Sequence, residues 1–264
     1  RSRMPPDHPQ RPNSAAVRVV CVGQTVWDQV WTVDTLPAGV GKSHASDFQG
    51  LGGGMAATAD VTVARLGGDA CFWGRAGDDP AGRAMRDELD AWGVDVRQLR
   101  LVSGGRSSVS GILVDRAGER RIVNFRGADL PDDPGWLPLH ELSQAGAVLA
   151  DPRWPAGALA ALRAARAAGV PTVLDGDVAD AEVFDRLLPW VDCAVFSEPG
   201  LAGYAAGAAD LASRLRHALR AGCRLAAVTQ GDRGVRWTDG GPLQHQPAFG
   251  VPVVDTTGAG DVFH

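Results

Sequence analysis

From Ala147 to Val228 short apolar runs alternate with segments of helical spacing, and this alternation limits the possible folds more than any other feature of the chain. The strand-like runs are Val148-Leu149-Ala150, Thr172-Val173-Leu174, Cys193 to Phe196 and Leu225 to Val228. Between them, Ala156 to Ala168, a stretch near Asp180 to Leu188 and another near Asp210 to Ala221 carry helical patterns. Strands joined through helices run parallel, and a parallel sheet is covered by helices on both faces. Val17 to Gly23 reads as a further buried strand and Met55 to Leu66 as a helix stopped by Gly67-Gly68. Cys71-Phe72-Trp73 reads as a short strand and Gly82 to Trp92 as a second helix. The expected fold class is α/β, a mostly parallel sheet flanked by helices.

Four segments do not fit that sheet. Thr25 to Val33 alternates in character, Ser43 to Gln49 resembles it, and Ser107 to Val114 and Arg120 to Phe125 flank the turn Asp115-Arg116-Ala117-Gly118-Glu119. These segments, from about 25–50 and 107–125, are expected to form a small β lid. A lid of strands with an exposed face also suggests a homodimer formed through it. With 264 residues and no linker or internal repeat, residues 16–264 are expected to make one domain. Residues 1–15 are rich in Pro, Arg, Asn and Ser and lack the apolar run of a signal peptide, so they read as a disordered leader. No run of ~18 apolar residues predicts a membrane helix. The net charge of -5 and the dispersed arginines argue against a nucleic-acid or anionic-membrane partner. Cys21, Cys71, Cys193 and Cys223 form no CxxC pair and read as reduced core thiols of a cytoplasmic protein.

Chemistry is most concentrated in Asp255-Thr256-Thr257-Gly258-Ala259-Gly260-Asp261, which follows the strand-like Val251 to Val254. Small residues clear side chains from a bend, so successive N–H groups can meet an anion at a helix start, where the helix dipole also favours negative charge. Gly258, Ala259 and Gly260 are therefore candidates for an anion hole around a transferring phosphoryl group, and Asp261 for the base that takes a proton from the attacking hydroxyl. A glycine turn with an Asp at the helix start is the plainer alternative. In α/β sheets ligands sit beyond the carboxyl ends of strands, which places Asp28, Asp151, Ser197 and Thr229 on the site side.

Lys42 is the single lysine among 26 basic residues. A compact ammonium differs from a planar guanidinium when fitted round a small anion, which makes it a candidate ligand contact beside the alternative of chance. Leu36 to Ser43 ends like a phosphate-binding GxxxxGK[ST] loop. Leu36 occupies the first Gly position, however, and neither a buried strand before it nor an apolar helix after it supplies the necessary context.

Gly52-Gly53-Gly54 followed by a helix ending Ala64-Arg65-Leu66-Gly67, together with the terminal Gly-Ala-Gly-Asp string, resembles the ribokinase-like (PfkB) sugar kinases. The likeness extends over nearly everything after residue 16, with Gly74-Arg75-Ala76-Gly77-Asp78-Asp79 and Val228-Thr229-Gln230-Gly231 in support. Within that family the chain looks most like the 6-deoxy-6-sulfofructose kinases, through Leu174-Asp175-Gly176-Asp177, Phe196-Ser197-Glu198-Pro199-Gly200-Leu201 and Gln244 to Phe249. The resemblance implies ATP and Mg²⁺ as cofactors and transfer of phosphate to the sugar's C1 hydroxyl. It implies Asp28, Gly53 and Gly54 at the sugar, and Lys42, Asn124 and Arg153 at the sulfonate. It also implies Ser197, Glu198, Thr229 and Gly231 near the nucleotide, and Asp255 and Thr257 as carbonyl donors to a monovalent cation. An ammonium, an amide and a guanidinium suit the three acceptor oxygens of a sulfonate.

Thr58 stands where the family usually has Asn, and Ser197 to Gly200 replaces its Asn-x-x-Glu, which turns expectation away from ordinary ribokinase or fructokinase activity. Family members continue for some tens of residues past the Gly-Ala-Gly-Asp string, so the helix behind Asp261 and part of the adenine pocket are expected beyond His264. Two alternatives stay open: a kinase for fructose 6-phosphate or a neutral ketose, and a sugar-binding protein without catalysis.

Overall fold

The computed structural model describes residues 16–252 and 258–264. The chain opens with β1 (Arg18–Gly23), β2 (Val26–Val33) and β3 (Ala45–Gly53), followed by α1 (Met55–Arg65), β4 (Asp69–Gly77), α2 (Pro80–Ala91) and β5 (Asp95–Val102). Next come β6 (Val109–Val114), β7 (Arg120–Phe125), β8 (Ala147–Ala150), α3 (Pro155–Ala167), β9 (Thr172–Gly176) and α4 (Ala181–Leu187). The last elements are β10 (Cys193–Ser197), α5 (Glu198–Tyr204), α6 (Leu211–Ala221), β11 (Leu225–Thr229), β12 (Val235–Thr238), β13 (Gln244–Gln246) and α7 (Ala259–Phe263).

The large sheet has the order β13-β12-β11-β10-β9-β8-β1-β4-β5, parallel from β5 through β11 and antiparallel at the β12 and β13 edge. This is the expected α/β arrangement, a mostly parallel sheet with helices on both faces. Alternate residues of β1 serve opposite layers. Cys21 packs with Phe72, Met85 and Leu89 beneath α1 and α2, whereas Val20 and Val22 pack with Trp73, Val148 and Ala161. Phe184, Phe196, Leu162 and Leu215 fill a further core under α3 to α6. Each fully buried side chain of this kind contributes about 1.5–3 kcal/mol. All four cysteines are free; Cys223 lies in the turn before β11 rather than in a strand. Among the described residues no helix is long and apolar enough to cross a membrane.

β5, β12 and β13 were not evident from apolar runs. β5 interleaves charged and apolar residues, β12 (VRWT) mixes polar and apolar ones, and the edge strand β13 (QHQ) is polar and exposed throughout. α5 follows β10 directly because Ser197 caps it, accepting from Gly200 N at 3.1 Å, with Pro199 in its first turn.

A second sheet, ordered β3-β2-β6-β7, is the lid. β2 follows β1 after two residues and β3 returns to α1 through Gly54, so the lid stands on the carboxyl end of β1. There β1 has β8 on one side and β4 on the other, and this is where an α/β sheet opens a ligand crevice. The segment from 36 to 43 joins two antiparallel lid strands and leads into β3, not a helix, which removes the phosphate-loop reading.

Candidate active site

One row of side chains crosses the lid. Asp28 pairs in register with Leu51 on one side and Ser110 on the other, and Ser110 pairs with Asn124. Asn124 Nδ2 donates to Ser110 Oγ at 3.1 Å, so Asp28, Ser110 and Asn124 share one face. Burial pushes the Asp28 carboxyl up from its ordinary value, and the Ser110 hydroxyl opposes that shift. Gly53 lies against this carboxylate, and a Cβ there would overlap Asp28 Oδ2. Gly54 turns the chain into α1 with φ 99°, a conformation that side chains resist, and a Cβ there would meet Gln24 O at 2.5 Å.

Acids crowd the floor beneath. Asp151, at the end of β8, is fully buried. Its Oδ2 accepts from Gln24 N at 2.7 Å and Ala56 N at 3.3 Å, and its Oδ1 from Arg153 N at 2.8 Å. Burial pushes it up to about 6 despite those donors. Asp177 Oδ1 accepts from Ser197 Oγ at 3.1 Å, and its Oδ2 lies 3.0 Å from Arg153 Nη2. Asp175 has 2% of its side chain exposed and lies 2.9 Å from His264 Nδ1, an ion-pair approach without hydrogen-bond geometry.

α7 packs against α1 and carries Asp261 into this acidic corner. Gly258 caps the helix with φ 68°, and Val262 N donates to its carbonyl at 2.9 Å. Among the described residues the N–H groups of Ala259 and Gly260 have no hydrogen-bond partner, as expected at a helix start. Ala259 and Gly260 are both exposed at this helix start. Burial first, then the charge of Asp175, pushes Asp261 up to about 7, while His264 pulls the other way. A carboxylate near neutrality beside unfilled amides can accept a hydroxyl proton.

Ser197, Glu198, Thr229 and Gly231 gather at the carboxyl ends of β10 and β11. Thr229 Oγ1 donates to Phe196 O at 3.3 Å and lies 3.2 Å from His264 Nε2. Gly231 adopts φ 59° with no atom within 4 Å of a notional Cβ. The Glu198 carboxylate accepts from Gln230 Nε2 at 2.7 Å and from Arg233 Nη2 at 2.7 Å through both oxygens. It is already neutralised by the fold, and the Ser197 hydroxyl is engaged by Asp177 and Gly200. Among the described residues no cluster of three ligating side chains could hold a metal. Asp255 and Thr257, named for a monovalent cation, lie outside the described residues.

Among the described residues no hydrogen bond joins the three residues matched to a sulfonate. Asn124 lies in the lid row, and Arg153 lines the crevice, its Nη1 donating to Val178 O at 2.7 Å. Lys42 is not on a lid strand. It lies exposed in the connection from β2 to β3, whose pairing ends at Val33 with Ala45. That tip starts five strand residues beyond Asp28, about 17 Å at roughly 3.4 Å per residue. Asp175, Asp177 and His264 were missed as site residues. An acid directly after an apolar strand core, as in Val173-Leu174-Asp175, was the available signal, whereas nothing local marks His264.

A model of the pfkB family carbohydrate kinases matches residues 17–264. A fructokinase from Klebsiella pneumoniae is 37% identical over 250 residues, covering 88% of this chain and 78% of that protein. An ATP-dependent ribose-1-phosphate kinase from Halopiger xanaduensis is 31% identical over 254 residues, covering 94% and 82%. A solved Agrobacterium tumefaciens protein, provisionally described as a ribokinase, superimposes with a TM-score of 0.87 at 36% identity, covering 94% of this chain and 82% of its own.

Proposed function

Because the chain belongs to the pfkB family of carbohydrate kinases, we propose that Asp261 is its catalytic base and 6-deoxy-6-sulfofructose its substrate, phosphorylated at the C1 hydroxyl. ATP-dependent sugar kinase activity of the ribokinase and fructokinase type follows from the family itself. The base, the orientation and the sugar are the proposal. The base is supported by position: Asp261 lies in the first turn of α7, whose first amides have no partner among the described residues, and burial pushes its carboxyl up to about 7.

Asp28 and Asn124 hold sugar hydroxyls from the lid, and Gly53 lets the backbone come close. Asp261 takes the hydroxyl proton as the sugar oxygen bonds to the γ-phosphorus. The bond from that phosphorus to the bridging oxygen breaks, and ADP leaves with the electron pair. The amides of Gly258, Ala259 and Gly260 stabilise the transferring group. Thr229 and Gly231 line the nucleotide side, and Ser197 and Glu198 shape it from behind. Mg²⁺ is proposed to arrive with ATP, held by phosphate oxygens and water, where it neutralises charge across the β and γ groups.

A neutral ketose or fructose 6-phosphate is the second reading. The neutral ketose is favoured by the likeness to a fructokinase and by the distance of Lys42 from the row at Asp28. Turnover of 6-deoxy-6-sulfofructose, fructose 6-phosphate and fructose with ATP and Mg²⁺ separates the readings: preference for either of the last two removes the sulfonate. Asp261→Asn abolishes turnover while sugar still binds, and retained turnover removes Asp261 as base. We also propose that two copies pair through the lid face opposite Asp28, where Phe48 is 54% and Val123 77% exposed. A monomer mass by light scattering overturns that pairing.

A further inference from the structure

We infer that Arg126, with Gln24 and Arg153, forms a pocket for an anionic XO₃ group carried by the sugar, and that Arg126 sets the selectivity for it. The inference rests on the sugar-kinase reading with Asp261 as base.

A cavity of about 40 Å³ opens at the foot of the lid, lined among others by Gln24, Arg75, Ser108, Arg126, Arg153 and Trp154. At roughly 10–15 Å³ for each water-sized oxygen, it has room for about three, the number presented by a sulfonate or a phosphate monoester. Its position follows from strand register. Ser110 pairs with Asn124 and Arg106 bridges to Ala128, which sets Ser108 opposite Arg126 on the face that carries Asp28 and Asn124. The two rows are two residues apart, about 7 Å. A sugar held by Asp28 and Asn124 therefore has one end within reach of Arg126.

Charge bookkeeping singles out Arg126. Arg75 is spent: Nη1 donates to Leu130 O at 2.6 Å and to Pro131 O, Nη2 lies 3.0 Å from Asp132, and the guanidinium sits over the Trp154 ring. Arg153 is tied to Asp177 and Val178 O but still lines the wall. Gln24 Nε2 gives one hydrogen to Ser108 Oγ at 3.2 Å, which fixes the amide and leaves its second hydrogen free. Arg126 has neither a hydrogen bond nor an ion pair among the described residues, so its whole donor fork is available. An unpaired guanidinium beside two arginines that are already paired leaves one positive charge over at this wall, which fits an anion better than a hydroxymethyl group.

The test compares kcat/KM for 6-deoxy-6-sulfofructose, fructose 6-phosphate and fructose in the full-length enzyme and in Arg126→Gln and Arg126→Lys. The proposal expects Arg126→Gln to lower kcat/KM for the preferred anionic sugar by about 10- to 100-fold, chiefly through KM, and for fructose by less than about threefold. Arg126→Lys falls between, since it keeps the charge and loses the fork. Whichever anionic sugar the enzyme prefers identifies the source of the XO₃ group. Equal losses on all three sugars would mean that Arg126 serves the transferred phosphoryl group or the fold, and would overturn the pocket. An anionic preference that survives Arg126→Gln overturns the pocket while leaving the substrate reading intact. A wild-type preference for fructose overturns both.

Discussion

If Asp261 is the base, its protonation sets the acidic limb of the rate profile, and the structure says which neighbour moves that limb. With a pKa of about 7, roughly 9% of Asp261 is ionised at pH 6 and roughly 91% at pH 8. The rate at pH 6 is then about one-tenth of that at pH 8. Asp175 is the strongest charge raising this value, while His264, 2.9 Å from Asp175, lowers it. Asp175→Asn removes the largest charge that raises Asp261 and so favours its ionised form. The limb moves to lower pH, and the ratio of the two rates rises from about 0.1 towards 1. His264→Gln does the reverse, moving the limb up and lowering the ratio. The assay is kcat/KM for the sugar at saturating ATP from pH 5.5 to 8.5, with a coupled readout of ADP and buffers matched in ionic strength. An acid limb in the same place in wild type and Asp175→Asn, or one displaced upward, would refute the assignment of Asp261 as the titrating base.

Two further substitutions probe the lid. Gly53→Ala drives a methyl group into Asp28 Oδ2 and displaces that carboxylate, so KM for the sugar should rise about tenfold or more while the melting temperature falls only slightly. An unchanged KM would remove Asp28 from the sugar. Lys42→Ala, at the exposed tip, should change kcat/KM for the anionic sugar by less than about threefold, whereas Arg153→Ala should lower it at least about tenfold; the opposite order would restore Lys42 to the site.

Much of the fold was legible because its period is simple. A buried parallel strand is a short apolar run, and Val148 to Ala150 or Leu225 to Val228 cannot be mistaken for an exposed surface. β5 was hidden because Asp95 to Val102 interleaves Arg97 and Arg100 with apolar residues, as befits an edge. The helix start at Gly258 to Asp261 was legible from its glycines beside an acid. The place of Lys42 was not legible, because rarity along the chain is no measure of position in space: it lies exposed in the connection between two lid strands. Arg126 was illegible for the opposite reason. It is one arginine among twenty-five, and only strand register shows that it shares a face with Asp28.

The acidic corner that makes Asp261 a base must also weaken the fold, and this yields a last prediction. A carboxyl whose folded pKa is raised binds its proton more tightly folded than unfolded. It therefore removes stability as pH rises from the unfolded value through the folded one. For Asp261 that window runs from 3.8 to about 7, and for Asp151 from 3.8 to about 6. At about 1.36 kcal/mol per pKa unit, Asp261 alone has an upper limit of roughly 4 kcal/mol. It is only partly buried, and it sits on a five-residue helix that can lift away instead of holding a buried charge. Screening and that local opening leave about 1–2 kcal/mol. Asp261→Asn, which ends catalysis, should thus raise the unfolding free energy by about that much at pH 8, and the gain should vanish towards pH 4. Urea titrations at the two pH values decide the matter. A variant less stable than wild type at pH 8, or a difference that ignores pH, would show that the corner does not strain Asp261, and the reason for its suitability as a base would be lost.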